Sequence, residues 1–139
     1  MTSDESCIFC KIVKKQAPAS VIYEDEATMV FLDIRPLNMG HALIIPKTHY
    51  VDIFDTPAKE LSQIHQVTKQ IAVAVKKATE ADGITIIQQN GSAAGQDIFH
   101  VYVHVVPRFK GQKLPRFGEL KEAPRLKLDE MAVKIKQCL

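Results

Sequence analysis

Apolar and polar residues alternate along residues 99–105, and this period of two predicts a β-strand over residues 98–106. The two faces of the predicted strand carry Ile98, His100, Tyr102 and His104 on one side, and Phe99, Val101, Val103 and Val105 on the other. We expect the second, wholly apolar face to lie in the core. On the first face, two imidazoles and a phenol would follow one another at about 6.5–7 Å. Histidine can act as nucleophile, proton carrier or metal ligand near neutral pH, so this row is the main candidate for chemistry.

The rest of the pattern predicts short strands around one long helix. Strands are expected at residues 21–24, 28–33, 41–45 and 84–88, a short helix or turn near residues 7–14, and a final helix at residues 129–139. Residues 110–125 contain Gly and Pro and are expected to be irregular. Together these elements predict an α+β domain whose five strands form an antiparallel sheet.

The long helix has its own start and stop signals. Thr56 is the expected N-cap, with Pro57 at the first helical position. Apolar residues then recur at helical spacing, so the helix is predicted to run to about Asp82, and Gly83 is the expected residue that ends it. The apolar stripe consists of Leu61, Ile64, Thr68, Ile71, Val75 and Ala78.

Composition limits the classes of protein to which the chain could belong. Its 139 residues suit one domain, with 46% hydrophobic and 24% charged residues, as is ordinary for a globular protein. A net charge of +2 gives no reason to expect binding to nucleic acid or to a membrane surface. No apolar run approaches the roughly 18–20 residues of a membrane span, and the polar, acidic start is unlike a secretory signal. Three cysteines do not suggest a disulfide framework, so we expect a cytoplasmic protein.

Cys7 and Cys10 form a Cys-x-x-Cys motif near the start of the chain. Such a motif indicates zinc binding or redox chemistry, and two free thiols are the alternative. A thioredoxin-type motif should follow a strand, whereas this one opens the chain. Zinc needs two further ligands, for which His49 and His100 are candidates.

The run from Gly95 to Arg108 resembles the signature of the histidine triad family of nucleotide hydrolases and transferases. That signature reads Gly-Gln-x-apolar-x-His-x-His-x-His, then two apolar residues, often followed by Pro-Arg. The glycine, the glutamine, the first and third histidines (His100 and His104) and the tail all match. Tyr102 stands where the family has its middle histidine.

In the family, the middle histidine attacks the α-phosphate and carries the nucleotidyl group. A tyrosine, with a pKa near 10, is ionised in only about one molecule per thousand at pH 7. Loss of a nucleophile costs about 10⁶ in turnover in a well-studied hydrolase. The resemblance therefore implies nucleotide binding with little or no turnover at Tyr102, where only His104 or His100 could serve as a base. The sequence leaves open whether this tyrosine is natural or an introduced substitution.

Residues 31–49 resemble the other half of the family's site, which reads Asp-x-x-Pro and then Gly/Thr-His-x-Leu-apolar-apolar-Pro-Lys-x-His. By resemblance, Asp33 would accept hydrogen bonds from both ribose hydroxyls of a purine nucleotide such as AMP or GMP. The base would be walled by Ile8, Phe31 and Ile34. His41 is expected to support the site from behind. Taken alone, Asp33 could equally be a turn carboxylate, and His41 a core histidine.

The small-residue loop before the signature strand is the expected phosphate site. By resemblance it is lined by Asn90, Gly95, Gln96 and Asp97, although loops of this kind are mostly plain turns. Asp97 departs from the Ser or Thr of the best-known family members. Its carboxylate would repel an α-phosphate unless it is turned away or protonated.

Three further expectations come from the resemblance. Members with an N-terminal Cys-x-x-Cys use the positions of Cys7, Cys10, His49 and His100 as a structural zinc site. In this chain, the zinc-binding segment would be part of a HIT domain of residues 1–109, and an extension would follow at 110–139. The fold would be HIT-like, with the sheet extended across a homodimer. Three functions remain open: a nucleotidyl hydrolase or transferase, a purine-nucleotide binder without catalysis, and a zinc-structured interaction module with a vestigial pocket.

Overall fold

A computed structural model describes residues 3–116 and 119–139, and it confirms the α+β fold with a five-stranded antiparallel sheet. The elements are α1 (Ile8–Val13), β1 (Val21–Glu24), β2 (Thr28–Leu32), β3 (Ala42–Pro46), α2 (Ala58–Thr79), β4 (Gly83–Ile87), β5 (Val103–Arg108) and α3 (Arg125–Gln137), with a 3₁₀ turn at Ser92–Ala94. The strands lie in the order β1-β2-β3-β5-β4, and each neighbouring pair is antiparallel. No helix in the described ranges has the length and apolar character needed to cross a membrane.

Both faces of the sheet are covered by other parts of the chain. Because successive residues of a strand point to opposite faces, alternate residues pack in different cores. Val30 and Leu32 of β2 pack in a core with the apolar faces of α2 and α3. Met29 and Phe31, the alternate residues of the same strand, pack on the other face with α1. All five residues of β2 are therefore buried, and the same holds for β3. The second face is the one on which the candidate site lies.

Both predicted ends of the long helix are wrong, although its apolar stripe is right. Helix α2 begins at Ala58 with Pro57 in the N-cap position, because the Thr56 hydroxyl donates to the carbonyl of Asp52 (2.6 Å) instead of capping the helix. At the other end, Glu80 takes the left-handed conformation (φ 58°) that we assigned to Gly83. Gly83 instead begins β4.

The signature strand is shorter than predicted, since β5 begins at Val103 and not at residue 98. Its neighbour β3 ends at Pro46, which has no N–H to continue the ladder. Nearby, the amide of Val101 donates to the carbonyl of Tyr50 (2.7 Å), outside the sheet. The prediction that Phe99 lies in the core is also wrong, because this side chain is 50% exposed.

The chain after β5 returns to the same core. Residues 110–124 are irregular where they are described, and the amide of Ala123 donates to the carbonyl of Ile34 (2.8 Å). Helix α3 begins four residues earlier than predicted. It buries Leu128, Ala132 and Ile135 against α2 and the sheet, and the thiol of Cys138 packs at the edge of this core.

Candidate functional site

Four side chains that are distant in sequence converge into a group that could hold a metal ion: Cys7, Cys10, His49 and His100. The sulfur of Cys7 lies 3.5 Å from Nδ1 of His100, and that of Cys10 lies 3.3 Å from Nδ1 of His49. The two Nδ1 atoms are 3.2 Å apart. Tetrahedral zinc with these donors requires edges of about 3.3–3.8 Å, from bond lengths of roughly 2.0 Å to nitrogen and 2.3 Å to sulfur. The donor set and its spacing therefore fit zinc.

The ring of His100 is oriented as a metal ligand would need to be. Its Nε2–H donates to the carbonyl of Pro46 (2.8 Å), so the neutral ring presents an unprotonated Nδ1 to the cysteines. Burial lowers the pKa of His100 to about 4, with the Pro46 carbonyl opposing this shift. The ring is completely buried. This geometry suits coordination better than proton transfer at His100.

Helix α1 links this cluster to the sheet through Phe9, which lies between the two cysteines in sequence. The ring of Phe9 makes edge contacts with Phe31, His100 and Tyr102, at centroid distances of 5.3, 5.8 and 5.2 Å. Our sequence analysis missed this role. The available signal was an aromatic residue inside the Cys-x-x-Cys motif, next to Cys10.

A second group of side chains joins β3 to β5. The main-chain N–H of Leu37 donates to Nδ1 of His41 (3.1 Å), so the proton of this neutral ring is on Nε2. That Nε2 lies 2.9 Å from Nδ1 of His104 and donates to it. The Oδ2 atom of Asp33 is 3.6 Å from the same Nε2. His41 is completely buried, which fits both the supporting position predicted for it and the alternative of a core histidine.

Burial sets the charges in this group. It lowers the pKa of His41 to about 3, with a smaller contribution from His104. It lowers the pKa of His104 to about 4, against a smaller upward contribution from Asp97. It also raises the pKa of Asp33 to about 6, and Asp97 adds to that shift. Near neutral pH both imidazoles are therefore uncharged, and Asp33 is mostly ionised.

Tyr102 and Asp97, the two departures from the family signature, hydrogen-bond to each other. The phenol donates to Oδ1 of Asp97 at 2.6 Å. Burial, followed by this hydrogen bond, raises the pKa of Tyr102 well above its ordinary value. The phenol ring is 5% exposed and packs against the ring of His104 at 4.7 Å. The proton is thus held on Tyr102, and the carboxylate of Asp97 is turned toward the phenol.

The side chains of the small-residue loop are largely engaged within the protein. Gln96 accepts from the amide of Gly91 (2.7 Å) and donates to the carbonyls of Val51 (2.6 Å) and Ile98 (3.1 Å). Asn90 accepts from the amide of Ile53 (2.8 Å). These two residues shape the loop through their side chains. A ligand contact by the side chain of Gln96 would require rearrangement of these hydrogen bonds.

Gly95 has a conformational role in the same loop. It adopts φ +96°, and a Cβ at this position would lie 2.5 Å from Nε2 of Gln89. The residue therefore holds a backbone shape that brings Asp97 to Tyr102. The three residues predicted to wall the base divide into two kinds: Phe31 is buried in the core, whereas Ile8 and Ile34 are 43% and 39% exposed. The last two thus present apolar surface to a ligand.

Comparison with known proteins places this geometry in context. A family model described as HIT domain matches residues 14–111. The adenylylsulfatase HINT3 of Arabidopsis thaliana is 37% identical over 138 residues, which covers 99% of this chain and 70% of that protein. A crystal structure of a histidine triad nucleotide-binding protein from Sulfolobus tokodaii, described as hypothetical, superposes with a TM-score of 0.87 at 31% identity, covering 95% of this chain and 91% of that one. A Zn-bound histidine triad family protein from Mycobacterium smegmatis gives 0.85 at 42% identity, covering 96% and 92%.

Proposed function

The chain belongs to the histidine triad (HIT) family, and on that premise we propose that it binds purine nucleotides such as AMP or GMP while transferring their nucleotidyl group slowly or not at all. The observation that carries the proposal is the state of Tyr102. The family's reaction needs a nucleophile at this position, beside the α-phosphate. Here the position holds a buried phenol whose proton is committed to Asp97 at 2.6 Å. An aryl oxygen that keeps its proton is a poor nucleophile.

The binding half of the site supports the nucleotide part of the proposal. Asp33 carries a side chain that is 22% exposed, so its carboxylate can reach a ligand. Its pKa of about 6 leaves it mainly ionised at pH 7 and able to accept two ribose hydroxyls. The exposed apolar side chains of Ile8 and Ile34 would contact the base. The neutral pair of His41 and His104 would complete the floor.

We also propose that Cys7, Cys10, His49 and His100 hold a structural zinc ion. A closed set of four protein ligands would supply folding energy by attaching α1 to the sheet. The spacing of the donor atoms supports this assignment, and the Mycobacterium smegmatis relative is described as Zn-bound. Zinc would keep the ring of His100 in its present orientation.

A homodimer in the cytoplasm completes the proposal. The sheet ends at β4, whose Ile86 is 50% exposed. An edge strand that carries an exposed apolar side chain supports joining of two sheets across β4, with α2 beside it. Analytical ultracentrifugation of the wild-type protein and of Ile86→Glu would test this part separately, with the variant expected to be monomeric.

The test of function uses three proteins and two measurements. Turnover of a fluorogenic adenosine phosphoramidate and the affinity for AMP are measured on the wild type, Tyr102→His and Tyr102→Phe. We expect AMP to bind all three, and we expect turnover only in Tyr102→His. Tyr102→Phe is the matched control, because it removes the hydroxyl without adding an imidazole. Turnover by the wild type equal to that of Tyr102→His would contradict silencing by Tyr102.

One observation favours a second candidate, a zinc-structured interaction module whose pocket no longer binds nucleotides. The amide side chain of Gln96 is already engaged at both its oxygen and its nitrogen within the protein. This candidate predicts one zinc ion per chain with no AMP-dependent rise in melting temperature. Elemental analysis combined with a thermal-shift series in AMP and GMP separates it from the first candidate.

A further inference from the structure

The candidate site is electrostatically unusual for one that receives a phosphate. Two carboxylates, Asp33 and Asp97, both act on the phenol of Tyr102. The two imidazoles contribute no positive charge near pH 7, because burial lowers the pKa of His41 to about 3 and that of His104 to about 4. A ligand in this site therefore meets a surplus of negative charge.

The buried side chain of Tyr102 and the loop before Asp97 together fix the position of the Asp97 carboxylate. Its Oδ1 accepts from the hydroxyl of Tyr102, and that ring is clamped between Phe9 (5.2 Å) and His104 (4.7 Å). The ring is 5% exposed and cannot follow an exposed carboxylate into solvent. Gln96, the preceding residue, is locked by its own hydrogen bonds. The carboxylate is thus held at the site by both its partner and its loop.

Arg35 places a positive charge near Asp33. This charge lowers the pKa of Asp33, but its effect is the smallest of those that act on that carboxyl, and the charge of Asp97 raises the same pKa. Arg35 is itself exposed, with its main-chain amide on Oδ1 of Asp33. The contact of its main chain therefore places Arg35 at Asp33, at the end of the site assigned to the ribose.

We propose that Asp97, held in place by Tyr102, is a specificity-determining residue that makes this site prefer nucleotides whose α-phosphate carries one negative charge over nucleoside monophosphates, whose phosphate carries two. The inference rests on the proposed function, which places the α-phosphate beside residue 102. Phosphodiesters, phosphoramidates and other nucleotidyl conjugates carry the single charge. A phosphate monoester is mostly doubly charged at pH 7.5, because its second pKa is about 6. The site would then bind an intact conjugate more tightly than the free monophosphate.

The experiment compares two ligands that differ at the phosphate. Adenosine 5′-phosphoromorpholidate has one negative charge, and AMP has two at pH 7.5. Calorimetric titration of both, with chromatography to show that the morpholidate stays intact, gives a ratio of affinities for each protein. We expect the wild type to favour the morpholidate about tenfold, and Asp97→Asn to bring the two ligands within about twofold. A contact made by the morpholine ring itself contributes equally to the ratio in every protein. The change in the ratio from one protein to another therefore reports on the charge of the phosphate.

Two further variants complete the design. Glu130→Gln removes the same charge from the exposed surface of α3, on the far side of the sheet, and should leave the wild-type ratio unchanged. Tyr102→Phe removes the hydrogen bond that holds Asp97 but keeps the charge, so an intermediate ratio is expected. An unchanged ratio in Tyr102→Phe would overturn the holding role of Tyr102.

The outcomes separate the inference from the function on which it rests. Equal ratios in the wild type and Asp97→Asn would overturn the inference, while binding of both ligands would leave the nucleotide-binding proposal standing. Binding of neither ligand to any of the folded variants would overturn both. Circular dichroism of each variant confirms that the comparison is made between folded proteins.

Discussion

The Nε2 atom of His41 lies 2.9 Å from the Nδ1 atom of His104, and the main-chain amide of Leu37 decides which ring donates. Two imidazoles thus share one hydrogen bond inside the protein, and both are at most 4% exposed. Such a pair is stable only while both rings stay neutral. A second proton would occupy the ring nitrogen that accepts a hydrogen bond from the neighbouring group, and it would create a buried imidazolium. The pair is therefore sensitive to pH.

Stability should fall as the pH is lowered from about 6.5 toward 4. Above pH 6.5 the rings are neutral in both the folded and the unfolded chain. Below it the unfolded rings bind protons at their ordinary pKa of 6.5, whereas the folded pKa values are about 3 for His41 and about 4 for His104. Each ring then removes about 1.4 kcal/mol from the free energy of unfolding per pH unit. Asp33 acts in the opposite direction between its ordinary pKa of 3.8 and its folded pKa of about 6, but it is one group against two.

Urea unfolding of the wild type and of His104→Gln between pH 7 and pH 4.5 measures this effect. The variant should lose less free energy of unfolding on acidification, by about 1 kcal/mol per pH unit. Proton uptake at His100 is common to both proteins and cancels in the comparison. Parallel curves for the two proteins would show that His104 titrates at its ordinary pKa in the folded state.

Removal of one cysteine ligand should abolish metal binding and lower the melting temperature. Cys10→Ser takes away a buried sulfur that lies 3.3 Å from Nδ1 of His49. At a metal concentration a thousandfold above the dissociation constant, the lost stabilisation is ~4 kcal/mol, or about 10 °C for a domain of this size. Elemental analysis and calorimetry provide the readouts. Cys138→Ser is the control, because this thiol packs at the edge of the helical core, and its zinc content should equal that of the wild type.

Restoring the nucleophile alone should give only part of the available activity. Tyr102→His leaves the Asp97 carboxylate, 2.6 Å from the former phenol oxygen, where it opposes an incoming α-phosphate. The double variant Tyr102→His/Asp97→Ser should turn over an adenosine phosphoramidate about tenfold faster than the single variant, which corresponds to a charge repulsion of ~1.4 kcal/mol. Asp97→Ser alone should stay inactive, since it supplies no nucleophile. A single variant as fast as the double would mean that Asp97 does not act on the phosphate.

Gly40, next to His41, should tolerate no side chain. Its φ is +104°, and a Cβ would lie 2.7 Å from Cγ2 of Thr79. We expect Gly40→Ala to lower the free energy of unfolding by about 2–4 kcal/mol, measured by urea titration. Thr79→Ser in the same chain should recover part of the loss, because it removes the methyl group while the strain in φ remains. Gly83→Ala is the control, since nothing lies within 4 Å of its Cβ, and it should change stability by at most ~0.5 kcal/mol.

The sequence by itself determined the class of fold and the residues of both clusters. Apart from Thr28, β2 and β3 are apolar because both faces of the sheet are covered. The stripe of α2 recurs every three to four residues because one face of the helix is buried. The spacing of apolar residues along the chain reflects which positions are buried, so these elements could be predicted from the sequence. The candidate zinc ligands could be named because the Cys-x-x-Cys motif indicates this metal and the family resemblance assigns the remaining positions to His49 and His100.

The tertiary structure decided which atoms meet, and local pattern carries no information on that. Phe99 has the alternation of a core residue but lies in a segment without a strand partner, since β3 ends at Pro46 and the amide of Val101 bonds to Tyr50. The sequence showed that Tyr102 and Asp97 both depart from the family signature, and only the folded chain joins them in one hydrogen bond. A hydrogen bond depends on distance and direction between two particular atoms, and these are fixed by the packing of the whole domain.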